Sequence, residues 1–363
     1  MVFFSNMIPT KYINFPFDLC LNHFNFDTYK KNSIEISSAF ASITNNQINI
    51  NPLNIVYNIE LKNSCFTTHK KNIVVICTKD LGDLLNYTLN KLLINNVFEL
   101  ADVLIVDDRS KDDSILELAQ KYNTSYLKIN NNQNIFHYSN LNNFAVTYAI
   151  KYQKNNVIFW NNDLWPSTPD TLNNLLEKHS KYNSNLSGSK LIYPSKQDYS
   201  MACGNYNHII GQISKYFLTI QHGGMVFLPH QSYIKPKSHC LKPFHAYRFD
   251  ENNTFLASQD TATHSVTGAI HITNIKDFID VGGLNISMSH TMQDIDLCLR
   301  YISNNKKVMY LGSEHLFHAE TISGFFHKVN SNIHNISDNI LYEYMWLTAI
   351  KKIIGLNFIN DSE

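Results

Sequence analysis

Four groups of acidic and imidazole residues stand where apolar runs of this chain end or begin. Val157-Ile158-Phe159-Trp160 runs straight into Asn161-Asn162-Asp163, and Val103-Leu104-Ile105-Val106 into Asp107-Asp108. Val308-Met309-Tyr310-Leu311 is followed by Glu314, His315, His318 and Glu320, and Gln293-Asp294-Ile295-Asp296 opens a stripe of Ile295, Cys298, Leu299 and Ile302. A carboxylate and an imidazole drawn together can hold a transition ion, and a carboxylate presented at an edge can take a proton as a general base. Each group also has an ordinary explanation. Asp163 taken alone is a solvated loop acid, Asp112 and Asp294 are helix caps, and among 16 histidines a single His-x-x-His is a weak signal. Asp107 and Asp108 lie too far ahead of Ile115 to cap its helix, so accepting a hydrogen bond from a nucleoside base or ribose suits one of them better. Asp296 points away from the apolar stripe together with Asp294, and two acids at one helix start exceed what a cap needs.

Positioning these groups falls to an alternation of strands and helices. Ile73-Val74-Val75-Ile76-Cys77 is too short for a helix and rich in β-branched residues, which predicts a buried strand. A helix over 81–93, strands at 103–106, 126–129 and 157–160, the stripe Ile115, Leu118, Ala119 and Tyr122, and a helix over 141–152 continue the pattern. Such alternation implies right-handed crossovers and a mostly parallel sheet flanked by helices, an α/β fold that binds ligands at the carboxyl ends of its strands. Beyond Asp163 the rhythm changes. A helix over 171–179 precedes a loop-rich or mixed-sheet region over 188–264, then a strand over 267–272 and a Val281-Gly282-Gly283 turn. Residues 1–70 form an accessory segment with only a weak boundary at Lys70-Lys71, 71–325 the main domain, and 326–363 a C-terminal helical segment.

With 363 residues, 44% of them hydrophobic, the chain can build its core without staples. Formal net charge is zero and no long basic run occurs, which argues against a nucleic-acid partner gripped through its phosphates. Cys20, Cys65, Cys77, Cys203, Cys240 and Cys298 contain no Cys-x-x-Cys pair and read as reduced, packed thiols. No charged leader or span-length apolar window is present, so a cytoplasmic protein is expected. The segment Tyr342 to Phe358 mixes Trp346 and Ile350 with Lys351 and Lys352; a terminal packing helix is the favoured reading, peripheral membrane contact the other.

The order of the motifs resembles the family 2 glycosyltransferases. It begins with Val75-Ile76-Cys77-Thr78 and continues through Val106-Asp107-Asp108-Arg109, Phe136-His137-Tyr138-Ser139 with Asn142-Asn143, and Phe159-Trp160-Asn161-Asn162-Asp163. Gly188-Ser189-Lys190, Gln221-His222-Gly223-Gly224, Val266-Thr267-Gly268-Ala269, Val281-Gly282-Gly283 and Gln293-Asp294-Ile295-Asp296 look like the bacterial rhamnosyltransferase-like branch. The resemblance covers about residues 72 to 320. It implies a GT-A fold, with a Rossmann-like nucleotide-sugar half at 71–165 and a mixed-sheet acceptor half at 166–325. It also implies inverting transfer from a nucleotide-diphosphate sugar, a UDP- or dTDP-sugar, to a saccharide, lipid-linked or protein acceptor. Carried over by position, Asp294 is the catalytic base and Asp163 and His318 hold Mn²⁺ or Mg²⁺. Thr78, Asp80, Asp107, Asp108, Asn143 and Asn162 line the nucleotide sugar. The chain departs from the family at Lys79-Asp80, which replace a frequent Tyr-Asn, at Asn161, which replaces the first acid of Asp-x-Asp, and at Gln293, which replaces a frequent Glu. Two alternatives stand beside this reading: a non-catalytic nucleotide-sugar or glycan-binding protein, and a sugar-phosphate nucleotidyltransferase. The second would want a phosphate-cradling loop that Thr78-Lys79-Asp80-Leu81-Gly82 does not supply.

Overall fold

The computed structural model describes residues 41–44, 47–50, 55–131, 136–203, 215–235, 238–288, 290–320, 331–346 and 349–353. Strands β1 (Ala41–Thr44), β2 (Gln47–Ile50) and β3 (Ile55–Asn63) lead into β4 (Asn72–Thr78). The alternation follows: α1 (Gly82–Ile94), α2 (Val97–Leu100), β5 (Ala101–Asp108), α3 (Ser114–Lys121), β6 (Ser125–Asn131), α4 (Tyr138–Lys151) and β7 (Asn156–Trp160). The second half holds β8 (Leu164–Pro166), α5 (Thr171–Lys181), β9 (Leu186–Ile192), α6 (Lys196–Cys203), β10 (Ile220–His222), β11 (Met225–Gln231) and β12 (His239–His245). It closes with β13 (Asp260–Ala262), β14 (Ile270–Asn274), α7 (Ile275–Asp280), α8 (Gln293–Ser303), β15 (Val308–His318), α9 (Ser331–Trp346) and α10 (Ala349–Ile353).

Thirteen of the described strands form one sheet in the order β1-β2-β3-β6-β5-β4-β7-β14-β9-β15-β13, with β10 beside β9 and β8 beside β15; β11 and β12 make a separate ribbon. The expected mixed α/β architecture, a large central sheet flanked by helices, is what the chain adopts. Strands β6, β5, β4 and β7 are parallel. Strand β14 runs antiparallel to both β7 and β9, and so restores the original direction in β9, which β15 then follows in parallel. The carboxyl ends of β4, β5, β7, β9 and β15 therefore share one edge. Both faces of the sheet are covered. Ile73, Val75 and Cys77 pack toward α4, α7 and α8, whereas Val74 and Ile76 pack toward α1, α3 and α5. That double burial explains why these strands read as unbroken apolar runs.

Several elements differ from the pattern in the sequence. Strand β3 pairs with β6, so part of the segment before Lys70 extends the main sheet. Strand β14 starts at Ile270, not Thr267, because the Gly268 peptide is used elsewhere, and α4 begins at Tyr138. Strand β15 runs on to His318 because a register shift between Leu311 and His315 lets it resume pairing with β9. Helix α9 ends at Trp346; Trp346 and Ile350 are buried against Ile295 and Leu299 of α8, while 347–348 and 354–358 lie outside the described residues. Among the described residues no helix is long and apolar enough to cross a membrane. Cys65, Cys77, Cys203, Cys240 and Cys298 are free thiols, and Cys20 lies outside the described residues.

One buried ion pair fastens the strands that carry the site. Lys154 Nζ pairs with Asp102 of β5 and donates to the carbonyls of Thr67 and, at 2.9 Å, Lys70, while Thr67 N donates to Asp102 Oδ2 at 2.7 Å. The end of α4, the start of β5 and the lead into β4 thus meet at one point. Removing one member strands a buried charge. Asp102→Ala is expected to lower the unfolding free energy by about 3–5 kcal/mol, read from urea denaturation monitored by circular dichroism; a change under about 1 kcal/mol, the range of exposed pairs, would refute the clamp.

Candidate functional site

Asp163 meets His318 because of strand register. In the pairing of β8 with β15, His318 lies opposite Leu164, and Ala319 N donates to the Asp163 carbonyl at 2.9 Å, so the ladder extends by one residue and sets the acid beside the imidazole. Asp163 Oδ1 lies 3.0 Å from His318 Nε2, and both residues are buried. His318 Nδ1 is 2.8 Å from Gln221 Oε1 on β10, which places the Nδ1 proton there and leaves Nε2 to face the carboxylate. Something positive must lie between Nε2 and Oδ1, either a proton or a metal ion. Burial by itself would lower the His318 pKa, but the Asp163 carboxylate and then Glu320 outweigh it and hold the imidazole above its ordinary value. Two donor atoms bound at roughly 2.1 Å and at right angles to one ion lie ~3.0 Å apart, so carboxylate and imidazole fit a shared divalent ion. No cluster of three or more His, Cys, Asp or Glu suited to a metal occurs among the described residues.

Asp294 sits in the first turn of α8, preceded by Met292 in a left-handed conformation at φ 63°. Gly268 N donates to Asp294 Oδ2 at 2.8 Å and Ile295 N to Oδ1 at 2.9 Å, so the carboxylate is held by backbone yet remains half-exposed. A Cβ on residue 268 would fall 3.0 Å from Asp294 Cβ, which is why glycine stands there. Tyr138 donates to the Gly268 carbonyl at 3.0 Å and fixes the other side of that peptide. Asp296 differs from the sequence expectation. It does not accompany Asp294 into solvent but is fully buried, accepting from Arg300 Nε at 2.9 Å and from Trp346 Nε1 at 2.9 Å.

The remaining candidates lie along the same edge in different states of engagement. Thr78 closes β4 and accepts from Asn162 Nδ2 at 3.2 Å, while the Asn162 carbonyl accepts from Thr88. Asp80 and Leu81 are both left-handed, with φ of 54° and 57°; Asp80 N donates to Ser110 and Asp80 Oδ1 accepts from Lys111 N. Asp108 receives Arg109 through Nε at 2.7 Å and its second nitrogen on the other oxygen. Burial pushes its carboxyl up from the ordinary range, against the pull of that guanidinium. Asp107 is consumed by Ser110 and Tyr126. Asn143 bonds Leu284 through both amide atoms, at 2.8 and 2.9 Å, so a ligand could reach that side chain only by breaking those bonds.

Arg248 and His245, which the sequence did not single out, join this edge. Arg248 pairs with Glu320 at 2.7 Å and with Tyr193 OH, and His245 lies against His222. Burial alone would raise the Glu320 pKa, but Arg248 and Tyr193 hold it below the ordinary value. No regular spacing in 239–248 announces these roles, since the partners come from β10 and from residues just after β9 and β15.

No protein-family model matches this chain, and no curated protein does. Among solved structures it aligns with that of GalNAc-T7 with UDP, GalNAc and Mn²⁺ at 11% identity and a TM-score of 0.48, covering 69% of this chain and 44% of that one. It aligns with S. aureus TarS 1-349 at 14% identity and a TM-score of 0.43, covering 77% and 74%. The chain thus spans under half the length of the first.

The Asp163–His318 bond carries a pH signature. A folded-state imidazole raised above its unfolded value contributes stability that is fully present below the unfolded value and is lost as pH rises through the folded one. In chelator-treated protein, the stability difference between wild type and Asp163→Asn is expected to be largest below the ordinary imidazole value of 6.5 and to shrink above it. Denaturant melts from pH 5 to 9 measure it; a difference that grows with pH would contradict the raised His318.

Proposed function

We propose that this chain is an inverting glycosyltransferase of GT-A architecture, in the rhamnosyltransferase-like branch of family 2. It would move a sugar from a UDP- or dTDP-sugar to a hydroxyl of a saccharide, lipid-linked or protein acceptor. One observation carries the reading: the Asp163–His318 pair and the backbone-held Asp294 stand at the same sheet edge as Thr78 and Asp108. Asp163 and His318 would hold a divalent ion, Mn²⁺ or Mg²⁺, with Gln221 fixing the imidazole. Such an ion neutralises charge on a departing diphosphate.

The protein's own groups supply the rest. A carboxylate offers about four acceptor positions, and the two backbone donors on Asp294 leave room for an acceptor hydroxyl. Asp294 takes that proton as the hydroxyl attacks the anomeric carbon from the face opposite the leaving group. A single displacement inverts the centre and requires no second carboxylate as nucleophile. Thr78, Asp80, Asp108 and Asn162 face the nucleotide at the ends of β4, β5 and β7, while Asp107 and Asn143 act at one remove by fixing Ser110 and Leu284. Asp80 N is already committed to Ser110, which weighs against a loop built to cradle phosphates by its amides.

Donor hydrolysis and transfer assays with UDP- and dTDP-sugars, Mn²⁺ and a panel of acceptors test the reading. Asp294→Asn is expected to reduce turnover at least roughly 100-fold with nucleotide-sugar affinity retained, and Asp163→Asn to raise the Mn²⁺ concentration needed. A wild type that binds nucleotide sugar yet neither hydrolyses nor transfers it would leave only a binding protein.

A further inference from the structure

Two histidines near the site face each other through the same ring atom. His222 Nδ1 lies 2.9 Å from His245 Nδ1, with the rings nearly perpendicular at 85°. Two such nitrogens at this distance share one proton, so one ring donates, the other accepts, and each ring fixes the tautomer of the other. The contact is built by backbone. Gly223 N donates to the Ala246 carbonyl at 3.1 Å and Ala246 N to the Gly224 carbonyl at 2.9 Å. A Cβ on Gly223 would lie 2.9 Å from the Tyr247 ring and 3.0 Å from the Ala246 carbonyl, and Gly224 has φ 104°. Only glycines allow the end of β10 to approach the end of β12 this closely, and that approach brings the imidazoles together.

The two rings are not equivalent. His222 is fully buried, and its Nε2 has no partner. His245 is half-buried; its Nδ1 is taken by His222, and its Nε2 is neither buried nor bonded. Burial lowers both pKa values and so favours the neutral form of each ring. The pair stands beside the Asp163–His318 pair, because His222 follows Gln221, which bonds His318 Nδ1, and the charged groups acting on His245 are Arg248, Glu320, Asp294 and His318. A neutral imidazole nitrogen with either tautomer suits a hydroxyl, which can donate or accept.

We propose that His245 Nε2 is a direct contact to a hydroxyl of the transferred sugar, and that His222 is the buried positioning residue that sets its rotamer and tautomer. The inference rests on the sugar-transfer reading, in which the transferred sugar lies between the ion that holds its diphosphate and the base that activates the acceptor.

Calorimetric titration of the full chain with Mn²⁺ and UDP, dTDP and a panel of UDP- and dTDP-hexoses tests it. Wild type is expected to bind one nucleotide sugar more tightly than the free nucleotide. His245→Ala should lose about tenfold of that affinity with free-nucleotide affinity unchanged, His245→Gln should recover part of it, and His222→Phe should lose it as His245→Ala does. Unchanged free-nucleotide binding shows that each variant is folded. If His245→Ala keeps the full preference for the sugar nucleotide, or wild type shows none, the inference is overturned while the transfer reading stands. If wild type binds no nucleotide or nucleotide sugar, the transfer reading fails and this inference falls with it.

Discussion

The arrangement at the sheet edge depends on the antiparallel pairing of the three-residue strand β8 with the end of β15. It sets Leu164 opposite His318 and so joins the turn after β7 to a strand more than 150 residues later in the chain. Without it, Asp163 is the solvated acid that its sequence neighbourhood suggests. The pairing is possible because β15 resumes its ladder after the shift at Leu311/His315, and because β14, inserted antiparallel between β7 and β9, returns β9 and β15 to the direction of β7.

The polar groups along the edge fall into those already satisfied and those left with capacity. Asp107, Asp296 and Asn143 are buried and bonded on both of their side-chain atoms, and each ties two elements together: the β5 turn to β6, α8 to α9, and α4 to the turn after α7. Asp294, His245 and the Asp163–His318 pair keep open positions. Each of these open positions is framed by a closely fitted glycine or a short ladder, so rigid support lies close behind the candidate site.

The sequence made the first half of the fold legible because strands covered on both faces leave unbroken β-branched runs, as at Ile73 to Cys77 and Val103 to Val106. It also made the strand-end acids legible, since a carboxylate directly after such a run has few places to go. The rest was hidden for identifiable reasons. Asp296 shares the helix turn of Asp294, and only the position of Trp346 in space shows that it is buried. Asn143 meets Leu284 across 141 residues, and His222 meets His245 through a backbone approach that leaves only a Gly-Gly pair as its trace. The extension of β15 past Gly312 is invisible to periodicity because the register shift breaks it.

The bond from Trp346 to Asp296 bears on how the molecule is made. Trp346 follows Asp296 by 50 residues in the chain, and α9 also holds the loop ahead of α8, where Asp338 accepts from His290 N and Thr291 N at 2.7 and 2.9 Å. The parallel strands β4 to β7 can assemble while the chain is still being synthesised, but the helix bearing Asp294 and Asp296 acquires its buried partner only after α9 has followed it. Final packing of α8 is therefore coupled to the synthesis of α9, so a nascent chain stalled before α9 would carry a nearly complete sheet with Asp296 lacking its Trp346 partner.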